Sequence, residues 1–134
     1  MFGLDINIWA VLIAAAAGFA IGGIWYSGKT FGPLWMKALG KSPDQLGSPG
    51  KAMIISGITQ LVTALVLATI LSYVGAPGPL LGAVIGLQLG LGIVLPFAAK
   101  GAPFEGRSWT LVAINTSEHV VSLAVIGAIL GAWQ

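Results

Sequence analysis

Asn115-Thr116-Ser117-Glu118-His119 is the one place where a carboxylate and the only histidine of the chain enter an apolar segment. A glutamate beside a histidine can hold a proton, hold a ligand or, with further donors, hold zinc. On a helix advancing roughly 100° per residue, Ser108, Asn115, Glu118, His119 and Ser122 share one arc. Ala113, Ser117, Ala124, Gly127, Ala128 and Gly131 gather on the opposite side. Adjacent positions point apart, so a direct bond between Glu118 and His119 does not follow from their order alone. The chain has one histidine and no cysteine, which excludes thiolate chemistry and any multi-histidine metal site within one copy. Phosphate loops, nucleophile triads and paired carboxylates are absent from the sequence, and the glycines from Gly82 to Gly92 do not follow a strand. We expect no enzyme, no cofactor and no bound metal.

Polar groups this deep in an apolar stretch need partners. Counting ~1.5 Å per helical residue from the nearest basic residue, Glu118 lies ~16 Å from Arg107, Gln60 ~14 Å from Lys51 and Gln88 ~18 Å from Lys100. The expectation is a buried midplane layer in which Gln60, Gln88, Asn115, Glu118 and His119 satisfy one another. Such a layer reads either as a hydrogen-bonded lock between helices or as a proton or ligand site. A metal held by Glu118 and His119 from several copies is a third reading.

The elements that carry this cluster are apolar. The chain of 134 residues is 57% hydrophobic and only 7% charged, against roughly 25% charged in soluble domains. Its mean hydropathy is +0.96. Ten charged side chains cannot cover a globule of this size, so the expected solvent is lipid. Segments at about 6–26, 53–74, 80–99 and 109–133 are each long enough to cross a bilayer core. The predicted fold is all-α, an integral membrane bundle of four transmembrane helices forming a single domain. We read the first segment as a retained helix and not a cleavable signal, because Asp5 and no basic residue precedes it.

Between the first two segments, the 27–52 loop contains Phe31 to Gly40, with Pro33 suited to a first turn and Gly40 to a stop. Phe31, Leu34, Trp35 and Leu39 could lie on the membrane surface, so this is predicted as a short interfacial helix. Ser42 and Gln45 have capping-box spacing. Trp25 and Tyr26 mark the end of the first segment at headgroup level. Gly75 to Pro79 is a turn without charge, and Pro96 should kink the third segment. Glu105 and Arg107 are expected as an exposed local pair in the last loop.

All six Lys and Arg fall between the first and second or the third and fourth segments. The positive-inside rule then makes both connections cytoplasmic, with both termini outside. Basic residues confined to such loops argue against a nucleic-acid partner and for contact with membrane lipid. Gly18 and Gly22, then Gly82, Gly86 and Gly90, then Gly127 and Gly131 recur every four residues, which lets helix backbones approach closely.

Trp25-Tyr26-Ser27, Phe31-Gly32, Trp35, Phe104-Glu105-Gly106-Arg107, Asn115 and His119 occur in this order around the four apolar segments. This pattern resembles the bacterial family called domain of unknown function seventeen-sixty-one, over nearly the whole chain. The resemblance implies a four-helix protein of the bacterial inner membrane and supplies no activity. In that family the residue before the histidine is often aromatic, so Glu118 is a departure.

The small-residue faces exceed what one four-helix unit needs. We therefore expect a non-catalytic accessory or structural subunit, associating with itself or with a larger membrane complex. The alternative is a small transporter or proton-conducting protein that uses the midplane cluster.

Overall fold

A computed structural model of the chain describes residues 6–75 and 77–133. Asp5, on which the retained-helix reading leans, and Ala76 of the uncharged turn lie outside the described residues, as does each terminal residue.

The regular structure among the described residues is all helical. Helix α1 is Ile8–Trp25, started by Asn7, whose Oδ1 accepts from the Trp9 and Ala10 amides at 3.0 and 3.3 Å. This cap satisfies two donors that a helix start leaves orphaned. Helix α2 is Gly32–Leu39, with Pro33 in its first turn and Gly40 ending it at φ +71°. The capping-box arm forms beyond it: the Ser42 amide donates to Gln45 Oε1 at 2.9 Å, over a 3-10 turn. Helix α3 is Pro49–Val74, stopped by Gly75 at φ +88°. Helix α4 is Pro79–Leu89; it continues through a π-helical turn, Gly90–Val94, into α5, Leu95–Glu105. Helix α6 is Trp109–Ala132, with Ser108 Oγ accepting from the Leu111 amide at 3.1 Å.

Among the described residues, four stretches are long and apolar enough to cross a membrane: Ile8–Trp25, Pro49–Val74, Pro79–Glu105 and Trp109–Ala132. The third runs past the predicted end at Ala99. Ala98, Ala99 and Ala102 favour the helix, Pro103 is carried within it, and only Gly106, at φ +70°, supplies a stop. Phe104 and Glu105 thus belong to the last helical turn and not to a loop. The irregularity expected at Pro96 lies just before it, in the π turn. A π turn shifts the backbone bonding by one residue, which suits a position that has lost its N–H.

Helix α6 is the hub, since α1, α2, α3, α4 and α5 all touch it. Gly82 faces Gly127, Gly86 faces Leu123 and Gly90 faces Val120, so α4 runs antiparallel to α6. Trp25 reaches Ile114 near the start of α6, so α1 runs antiparallel to it too. The α4–α6 seam is the closest approach in the molecule. A Cβ at Gly82 or Gly86 would collide with a backbone carbonyl of α6, and one at Gly90 would lie 2.9 Å from Val120 Cα. Ordinary side chains cannot occupy these positions without separating the helices.

The apolar core sits toward one end of the bundle. It joins Ala10 and Ala14 of α1, Leu67 and Leu71 of α3, and Ile126 and Leu130 of α6, each at most 1% exposed. All the buried residues of α3 come from its second half, beginning at Ala64. Its first turns, from Lys51 to Ile55, are exposed. The bundle is closed at the Gly75 end and open at the end where α2 lies.

Candidate functional site

The open end forms a cleft of ≈ 680 Å³ between α1, α3 and α6, reaching Trp35 of α2. Glu118 lies at its floor and is 3% exposed. The carboxylate fits because α1 has a glycine opposite: a Cβ at Gly22 would be 3.4 Å from Oε1. Oε1 accepts from Ser122 Oγ at 3.0 Å, and Oε2 is 2.9 Å from His119 Nδ1. Nδ1 is also 3.0 Å from the Asn115 carbonyl oxygen. A backbone carbonyl only accepts, so the hydrogen resides on Nδ1 and Nε2 is the nitrogen left free. The imidazole is 58% exposed and the carboxylate side chain 5%, at the floor of the cleft. The imidazole lines both this cleft and a smaller cavity of ≈ 330 Å³ between α3, the π turn and α6.

Gln60 borders both cavities together with Thr59 and His119. Its amide lies over Gly18, where a Cβ would be 3.0 Å from the amide carbon. Among the described residues it makes no hydrogen bond to Glu118 or His119. Gln88 does not join the layer. It is exposed on α4, two residues from Gly86, which is packed against α6. Two residues are roughly 200° of helix, so facing Gly86 inward turns Gln88 outward. Matching depth did not ensure matching direction.

Asn115 takes part through a bond the sequence did not announce. Tyr26 donates its phenolic hydrogen to Asn115 Oδ1 at 2.7 Å, and Trp25 Nε1–H donates to the Ile114 carbonyl at 3.1 Å. Both aromatics were expected only as boundary anchors. They also tie α1 to α6. Each packs on a further ring, Trp25 on Phe31 at 4.9 Å between centroids and Tyr26 edge-on to Trp35 at 5.1 Å. Gly32 lets the chain turn back, because a Cβ there would meet the carbonyl oxygens of Tyr26 and Ser27. A third pocket, of ≈ 400 Å³, beside this lock is lined by residues that include Tyr26, Trp35, Arg107, Ser108 and Asn115. Arg107 pairs with Glu105 at 2.6 Å, both just over half exposed. Such a pair contributes little. Ser122, which braces Glu118, shares its arc on the helical wheel, and that was the available signal for it.

The seven glycines expected to pack helices divide into two uses. Gly82, Gly86 and Gly90 close on α6, with Gly127 and Gly131 facing back to α4, while Gly18 and Gly22 make room for Gln60 and Glu118. All are occupied within one chain, so they no longer argue for a second copy. Among the described residues, no three of His, Cys, Asp and Glu come together.

What this defines is an all-helical chain with four helices of membrane-crossing length and a polar cleft at one end of the bundle. The family model described as Protein of unknown function (DUF1761) matches residues 9–131, and the chain belongs to that family. No curated protein and no solved structure matches it. Residues that carried the resemblance, Trp25, Tyr26, Phe31, Gly32, Trp35, Asn115 and His119, converge in space around the lock and the cleft mouth.

Proposed function

We propose that this chain is a multi-pass protein of the bacterial cytoplasmic membrane and that it acts as a small transporter or proton-conducting element through Glu118 and His119. One observation carries the reading. Among the described residues, every hydrogen bond to the Glu118–His119 pair comes from α6 itself. A buried charge is expensive, and a helix-to-helix lock would offset that cost by bonding across an interface. Among the described residues this pair bonds no other helix and instead lines an open cleft, while Trp25, Tyr26 and Asn115 do the locking.

The orientation rests on charge. Lys29, Lys37, Lys41, Lys51 and Arg107 fall at the end of the bundle where the cleft opens, so that end is the cytoplasmic one. Helix α2 then lies along the interface. A single cysteine at Lys37 should be labelled from the cytoplasmic face of sealed vesicles.

The function is tested by flux. Purified protein in sealed vesicles should pass protons or a proton-coupled solute down an imposed gradient. Glu118→Gln should abolish the flux while leaving the folded protein intact. Undiminished flux in that variant would end this reading. The accessory-subunit reading draws on a different observation: Ile54, Ile55 and Ile58 of α3 are more than half exposed at the open end. It requires stoichiometric co-purification with a partner or a second copy, together with a silent Glu118→Gln.

A further inference from the structure

We infer that the cleft is a binding site for a lipophilic organic monocation, such as a quaternary ammonium or phosphonium ion, with Glu118 as its counter-charge. The inference rests on the transport reading above and names the class of ligand for the same site. The charge inventory of the cleft is one-sided: its lining holds a single carboxylate and no lysine or arginine. His119 is its only basic group, and its hydrogen-bearing Nδ1 already faces Glu118. The volume of ≈ 680 Å³ lies within the range of roughly 300–1,000 Å³ that suits small organic ligands.

The walls explain why the ion should be organic rather than a hydrated metal. Phe19, Tyr26 and Trp35 supply aromatic surface, and Met53 and Ile55 supply apolar surface. Aromatic rings attract diffuse cations through their quadrupole, and apolar walls favour a ligand that brings its own hydrocarbon coat. A small hard cation would need several oxygen ligands. Glu118 is the only carboxylate available, and one of its oxygens already accepts from Ser122. Gln60 and Thr59 on α3 add neutral polar edges without competing charge. Entry needs no rearrangement of the core, because the first turns of α3 already stand away from the bundle.

The test uses the full chain in mild detergent with tetraphenylphosphonium as probe and equilibrium dialysis as readout. Saturable binding of one ion per chain is expected. Tetraphenylborate, of nearly the same shape and opposite charge, should not compete. Glu118→Gln should weaken binding at least ten-fold and Trp35→Ala several-fold, while Glu118→Asp should retain most of it. Absence of saturable binding, equal competition by the borate, or full binding by a folded Glu118→Gln variant would each overturn the inference. The borate comparison is made on the wild-type protein, so it decides even if a variant does not fold. Vesicle flux separates the two proposals. Glu118-dependent proton flux without phosphonium binding removes the ligand assignment and leaves the transport reading. Phosphonium binding without any flux supports the assignment and removes transport.

Discussion

The α4–α6 seam and the α1–α3–α6 cleft are both built on glycines spaced four apart, and they use them in opposite ways. In the seam, Gly82 and Gly86 admit the backbone of the neighbouring helix, whose main-chain atoms are the nearest to both. In the cleft, Gly18 and Gly22 admit side chains, the Gln60 amide and the Glu118 carboxylate. A small residue permits close approach, and what approaches is decided by the facing helix. Opposite α4, helix α6 offers Gly127 and Gly131. Opposite α1, the same helix offers Glu118, and α3 offers Gln60. One helix therefore presents a dry face and a polar face, and the two neighbours it meets differ accordingly.

The largest effect should come from breaking the seam. Gly86→Leu places a side chain where a backbone carbonyl of α6 now lies. Overpacking a well-fitted site costs typically 1–3 kcal/mol when side chains can give way. Here the obstacle is backbone, so a loss of about 3 kcal/mol or more is expected, read as thermal or denaturant unfolding in detergent. A variant as stable as the wild type would show that the two helices are not held this closely.

Next comes His119→Ala, which leaves Glu118 buried with Ser122 as its remaining donor. A buried acceptor deprived of a partner costs about 1–3 kcal/mol, and more when charged. The loss should be smaller than for Gly86→Leu and should be largely relieved in the double variant His119→Ala, Glu118→Gln. If the double variant is as unstable as the single one, the imidazole is packing rather than pairing.

Much of this contrast was readable beforehand. The four apolar stretches and the short helix after the first follow from composition, Pro33, Gly40 and the glycine stops. The stripe at Gly82, Gly86 and Gly90 was legible as a packing face. Its partner was not, because a stripe of small residues does not say whether it will meet its own chain or another. The arc holding Asn115, Glu118 and His119 followed from helical period. Gln88 failed because depth along an axis leaves rotation about it unfixed, and rotation here was set by the glycines. Tyr26 was read only as an anchor because its bond to Asn115 spans 89 positions of sequence. The run of α5 to Glu105 was hidden by Lys100, where the apolar stretch ends although the helix does not; Pro103 is then carried inside it.

The lock provides the intermediate case. Tyr26→Phe removes one hydrogen bond between α1 and α6 while keeping the ring against Trp35. Bonds of this kind contribute about 0.6 kcal/mol on average and up to about 2 kcal/mol in apolar surroundings. A double-mutant cycle with Asn115→Ala should return a coupling in that range. A coupling indistinguishable from zero would move the tie between α1 and α6 onto Trp25 alone.

The smallest effect on stability should belong to Glu118→Gln, and that is what makes it decisive. The amide can keep its oxygen on Nδ1–H of His119 and donate its NH2 to Ser122 Oγ, and it removes a buried charge whose partners among the described residues lie on its own helix. Removing one partner of a buried pair is costly when it strands the other as a buried charge; here the group left behind is an imidazole 58% exposed, and the buried charge itself is what disappears. Unfolding should therefore shift less than it does in Tyr26→Phe. A lock would behave otherwise: if Glu118 held α6 to a neighbour, this variant would fall at least as far as Tyr26→Phe. Measured side by side in one detergent, the order of the two variants separates a residue that binds helices together from one whose carboxylate is kept for something that enters the cleft.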